Sequence, residues 1–118
     1  MLTFSSAVHI HLAVEPFDLR LGFDGLAGLV QSRLERDPLC GHLFVFHNKA
    51  ADRLKILYWE RYGWCLWCKR LEQGRFHFPT AKKAALELTA GQLQMLLEGI
   101  DLSRVRQFKR YQRPAPAN

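Results

Sequence analysis

The sequence predicts an α+β fold: one small domain with a mostly antiparallel β-sheet of about five strands, two helices packed on it, and a basic C-terminal tail. Three observations predict this. Val8-His9-Ile10-His11-Leu12-Ala13-Val14 alternates apolar and other residues with the period of a strand. Two β-prone runs, roughly 53–59 and 64–71, flank Glu60-Arg61-Tyr62-Gly63, a connection of hairpin length. Two further stretches, 23–34 and 90–100, carry apolar residues at helical spacing.

In chain order, Val8, Ile10, Leu12 and Val14 share one face of the first strand, which Pro16 ends. His9 and His11 then fall on its solvent face. Phe23, Leu26, Ala27, Val30 and Leu34 form the stripe of a first helix, entered at Asp24 as a cap and ended by Pro38 and Gly41. Leu43-Phe44-Val45-Phe46 is a short continuous apolar run, the signature of a strand buried on both faces. After a polar loop comes the hairpin, with Gly63 expected at a positive φ. Glu72-Gln73-Gly74 then turns the chain into Arg75-Phe76-His77-Phe78, a fifth strand continuing the meander. Thr89-Ala90-Gly91-Gln92 is a capping box that opens the last helix, with Leu93, Leu96, Leu97 and Ile100 inward.

A chain of 118 residues makes one domain, placed at 1–103, with 104–118 as a flexible basic tail. No apolar run has the length of a membrane span, and the N-terminus lacks the pattern of a signal peptide, so a cytoplasmic protein without a membrane partner is expected. Cys65 and Cys68 have CxxC spacing, but strand positions three apart point to opposite faces and no second ligand pair follows. Neither a disulfide framework, a metal site nor a cofactor is implied. No catalytic fingerprint occurs, and Asp18, Asp24, Asp37 and Asp52 lie on different elements rather than as a paired-carboxylate site.

Charge is unevenly spread. The chain carries +6 overall. Residues 47–83 hold nine Lys/Arg against three Asp/Glu, and 104–118 hold five against none. Pairing Trp59 with Trp64 sets Arg53, Lys55, Leu57 and Trp59 on one face with Trp64, Leu66, Cys68 and Arg70. That face offers cations for phosphates and indoles for stacking. The ordinary alternative is a set of cross-strand aromatic pairs with solvated Lys and Arg heads. Arg104, Arg106, Lys109, Arg110 and Arg113, with Phe108 and Tyr111 between them, make the tail a second phosphate-gripping candidate.

Long motifs add a resemblance. Asp18-Leu19-Arg20-x-Gly22-Phe23-Asp24-Gly25-Leu26, Asp37-Pro38-x-x-Gly41-His42-Leu43-Phe44-Val45-Phe46 and Asp52-Arg53-x-Lys55-x-Leu57-Tyr58-Trp59 are three of them. Lys69-Arg70-Leu71-Glu72-x-Gly74-Arg75-Phe76 and Leu96-Leu97-Glu98-Gly99-Ile100-Asp101 complete the set. Over about residues 5–103 the chain resembles the TnpB-type accessory proteins of the IS66 family of bacterial insertion sequences. The resemblance implies participation in transposition, beside a separately encoded transposase, and brings no catalytic residues with it; with no acidic cluster in the sequence, a non-enzymatic accessory role is expected. Arg20, Arg53, Lys55, Lys69, Arg70 and Arg75 are the motif cations expected to meet DNA or the transposase. Two departures thin the cationic surface: Leu21 stands where the family often has a basic residue, and the arginine-rich loop is reduced to His47-Asn48-Lys49-Ala50-Ala51. A pure protein-interaction module that docks the transposase is the alternative, since Trp and Arg are also interface anchors. An open sheet edge would also permit a homodimer.

Overall fold

A computed structural model describes residues 8–102 of the chain. The elements run β1 (Ile10–Ala13), α1 (Phe23–Ser32), β2 (Leu43–His47), β3 (Arg53–Glu60), β4 (Gly63–Arg70), β5 (Ala85–Leu88) and α2 (Ala90–Leu97). The five strands form one mixed sheet in the order β4-β3-β2-β1-β5. β1 and β2 are parallel, with α1 between them in the chain, and the other three neighbouring pairs are antiparallel.

Each face of the sheet carries its own core. On one side Ile10, Leu12, Val45, Leu54 and Ile56 pack with Leu93 and Leu96 of α2. On the other, Phe44, Phe46 and Leu57 pack with Leu26 and Val30 of α1. Alternate residues of β2 therefore serve opposite cores, which is why its sequence is apolar without interruption.

The hairpin register matches expectation: Trp59 pairs with Trp64, and Arg53 with Arg70. Its turn does not. The two loop residues, Arg61 (φ 46°) and Tyr62 (φ 71°), both adopt the left-handed conformation, and Gly63 is not among the positive-φ residues. Two left-handed residues give the backbone twist that a two-residue hairpin needs, so the turn geometry overrides side-chain preference here.

The fifth strand is also elsewhere. Residues 75–78 belong to no strand, and Ala85–Leu88 instead pairs antiparallel with β1. After β4, at one edge, the chain must reach β1 near the other, and residues 71–84 span that gap. Phe76 is buried in the α2-side core, and its amide donates to the Ala51 carbonyl at 2.7 Å. Phe78 stacks on His47 at 3.9 Å between ring centroids.

There are three smaller corrections. His11 is buried, not solvent-facing: its ring stacks on Phe44 and bonds His42. α1 stops at Ser32, two residues short of Leu34, and Glu35 turns left-handed at φ 54°. Its N-cap is Gly22 with no side-chain cap, so Asp24 acts only as an acidic residue in the first turn, where the helix dipole favours it. The capping box of α2 is formed as expected: Thr89 Oγ1 accepts from the Gln92 amide at 3.1 Å, and Gln92 Oε1 accepts from the Thr89 amide at 2.9 Å.

Candidate nucleic-acid interface

The predicted cations of the hairpin lie at its base and divide between its two faces. Arg53 and Lys55, two residues apart on β3, share a face. They open onto a cleft of about 980 Å³ with Pro16, Phe17, Asp18, Leu19 and Arg20 along one wall. Asn48, Lys49 and Ala50 form the other wall. The cleft is therefore lined by four cations, Arg20, Lys49, Arg53 and Lys55, against one carboxylate, Asp18. A smaller concavity of about 320 Å³ shares Arg53 and Lys55 and continues to Cys68, Lys69, Arg70 and Glu72.

Local chemistry holds these walls. Asn48 Oδ1 accepts from the amides of Asp52 (3.1 Å) and Arg53 (3.0 Å), while its Nδ2 donates to Asp52 Oδ1 at 2.7 Å. That side chain closes the loop and lets Ala51 take a φ of 59°. The Phe17 amide donates to the His47 carbonyl at 2.9 Å, fixing the opposite wall to β2. Phe17 itself stands edge-on to Phe46, and the Arg33 guanidinium lies over its ring at 5.4 Å.

Not every cation is equally available. Arg20 is gripped by Asp18 through Nη2–Oδ2 at 2.7 Å and Nε–Oδ1 at 3.0 Å. Those bonds hold the Asp18 carboxyl down at about 2. Arg70 Nε donates to Glu72 at 2.9 Å. Lys55 Nζ donates to the Leu21 carbonyl at 3.1 Å, bracing the approach to α1. Lys69 points to the other face and donates to the Leu97 carbonyl at 3.0 Å, a cation at the C-terminus of α2. Lys49 and Arg53 are exposed and make no ion pair among the described residues. Arg75 is exposed in the 71–84 connection and lines neither concavity.

Trp59 and Trp64 are not with the cations. They form a T-shaped pair, centroids 5.1 Å apart, beside the hairpin turn. Six residues of strand separate Trp59 from Arg53, about 20 Å at the strand rise. Trp64 and Leu66 pack against the α1 core, which fills the middle of the predicted face. Beyond the tryptophans, Tyr62 is 96% exposed at the tip. Arg104, Arg106, Lys109, Arg110 and Arg113 lie outside the described residues.

Sequence reasoning missed Lys49 and the Pro16–Phe17 wall, because the pairing of a loop with a distant turn leaves no periodic signal. It also missed a histidine cluster. His11 Nε2 and His42 Nδ1 share a hydrogen bond at 2.8 Å, the His9 ring lies 4.8 Å from that of His42, and His9 bonds Glu87. Burial and the nearby Arg36 hold His11 down at about 4, and burial lowers His42 as well. These rings bond one another, and no three His, Cys, Asp or Glu among the described residues are grouped to hold a metal ion.

No helix among the described residues is long and apolar enough to cross a membrane. Comparison with known proteins adds the family. Residues 8–107 match the model of the IS66 Orf2-like proteins. The uncharacterized protein y4jC of Sinorhizobium fredii (strain NBRC 101917 / NGR234) is 42% identical over 106 residues, covering 90% of this chain and 91% of the relative. The uncharacterized protein y4hO of the same strain is 41% identical over 101 residues, covering 86% and 88%. No solved structure matches the chain. A family model spanning all of the described residues, with two relatives of this similarity matched over most of their length, places the chain: it belongs to the IS66 Orf2-like protein family.

Proposed function

We propose that this protein is a non-enzymatic accessory factor for transposition of an insertion sequence, working in the bacterial cytoplasm beside the element's transposase. In this reading it holds DNA in the cleft at the base of the β3–β4 hairpin. The observation that carries the reading is the convergence of Arg20, Lys49, Arg53 and Lys55 from three separate segments on one concavity. Lys49 and Arg53, free of ion pairs among the described residues, would release counterions on meeting phosphates, which makes binding salt-dependent. The test is a salt titration of DNA binding by the full chain. The logarithm of affinity falls steeply with the logarithm of salt, and the Lys49→Ala/Arg53→Ala double variant flattens that slope by about two phosphate contacts. Undetectable binding at low salt removes the DNA reading.

A second surface favours a protein partner. Tyr62 at the hairpin tip is fully exposed on a left-handed backbone, with Trp59 and Trp64 directly behind it and Arg61 beside it. Tyr, Trp and Arg are the residue types that dominate binding at protein interfaces. In the second reading this tip docks the transposase, with or without DNA in the cleft. Co-purification with the transposase that Tyr62→Ala abolishes, alongside no DNA binding, selects this reading over the first.

A further inference from the structure

We infer that the cleft takes unpaired, single-stranded DNA, seating one base against Pro16, Phe17 and Ala50 with its flanking phosphates on Lys49 and Arg53. The inference rests on the DNA reading above and specifies the form of DNA.

Shape is the first argument. A duplex is read by an element that protrudes into a groove, a helix or a β-ribbon. The cations here line a recess between two loops and the start of β3 instead. Its volume of about 980 Å³ sits at the upper end of the roughly 300–1,000 Å³ typical of small-molecule clefts. That is room for a nucleotide and too little to admit a double helix.

Chemistry is the second. The lining is divided into an apolar part, Pro16, Phe17, Leu19 and Ala50, and a cationic part. Pro16 and Ala50 are exposed and Phe17 is half-buried, so an apolar surface is left accessible beside the guanidinium and ammonium groups. A nucleotide has the same division, a flat base and a charged phosphodiester. In a duplex the base faces are stacked and cannot reach such a wall; in a single strand they can.

Continuity is the third. Arg53 and Lys55 line both recesses. The smaller concavity continues past them to Cys68 and Arg70, so a strand leaving the first recess meets a further cation, one that Glu72 holds in place.

The test compares three fluorescein-labelled 12-mers by anisotropy with the full chain at one salt concentration: a mixed-sequence single strand, its duplex, and an abasic single strand. The expected result is at least tenfold tighter binding of the single strand than of the duplex, with the abasic strand weaker than its normal counterpart. Lys49→Ala/Arg53→Ala and Ala50→Glu, all exposed positions, each weaken single-strand binding about tenfold, while Lys82→Ala/Lys83→Ala, outside the cleft, leaves it unchanged. Equal or tighter binding of duplex overturns the inference and leaves the DNA reading standing. So does single-strand binding that the cleft variants do not weaken, or an abasic strand bound as well as the normal one. Failure of all three DNAs to bind overturns both.

Discussion

Arg53 and Arg70 are direct cross-strand partners in the β3–β4 pairing, two guanidinium-bearing residues on one face of the sheet. Like charges placed opposite one another destabilise a sheet, and Glu72, bonded to Arg70 at 2.9 Å, offsets this pair in part.

Arg53→Ala should therefore leave stability unchanged or raise it by up to about 0.5 kcal/mol, while reducing binding of DNA. Glu72→Gln should do the reverse to the fold, lowering stability by about 0.5 kcal/mol at low salt and less at high salt. Urea denaturation at two ionic strengths, paired with the binding titration, checks both. A marked loss of stability in Arg53→Ala would mean that the residue serves the fold.

The hairpin tip carries a similar conflict. Replacing Arg61-Tyr62 with Asn-Gly, the pair best suited to two left-handed positions, should stabilise the protein by about 1–2 kcal/mol, since each non-glycine residue there is disfavoured by roughly that order. Thermal melts measure the gain. The same variant should lose the transposase in co-purification if the tip is its docking point.

Acid should weaken the fold through the histidine cluster. His11 titrates near 4 in the folded chain against its ordinary 6.5, so the unfolded chain binds the proton first as pH falls. Its stabilising contribution is complete above pH 6.5, is lost between about 6.5 and 4, and changes no further below. The loss amounts to at most about 3 kcal/mol. His42 and His47, also lowered mainly by burial, act in the same direction. Chemical denaturation across pH 4–7 should show this slope, and His11→Gln should flatten it.

Thr89→Ala removes the acceptor for the Gln92 amide and should cost about 1 kcal/mol, read as a lower urea midpoint with an unchanged m-value.

The cysteines give a chemical check on the register. Cys65 and Cys68 are free and project from opposite faces of β4, Cys68 exposed and Cys65 half-buried beside Glu60. Thiol titration of the native protein should count Cys40 and Cys68 as fast-reacting and Cys65 as slower. Mild oxidation should not join Cys65 to Cys68 within one chain.

What was legible in the sequence follows from how local each determinant is. The Trp59–Trp64 register, the unbroken β2 run and the Thr89 box each depend on residues close together in the chain, and all three are formed. The place of β5 was hidden because Ala85–Leu88 is short and its partner, β1, is far away in sequence. Arg75–Phe78 looked like a strand because its two phenylalanines alternate, yet they plug a core on the way across the sheet. For the interface, Arg20, Arg53 and Lys55 were named from the sequence, and they meet at the cleft. Lys69 alternates onto the other face and holds α2, which its place in β4 already implied. That α1 would lie between the cations and the tryptophans could not be read, since it depends on the parallel β1–α1–β2 crossover.

That crossover also sets a schedule for synthesis. β2, β3 and β4 can pair as soon as residues 43–70 are available, from neighbours in the chain. β1 must keep one flank open until Ala85–Leu88 emerges to cover it, with Ile10 waiting for Leu88. A nascent chain stalled inside residues 71–84 would carry an uncovered strand and a half-built core, the form most open to aggregation and to chaperones.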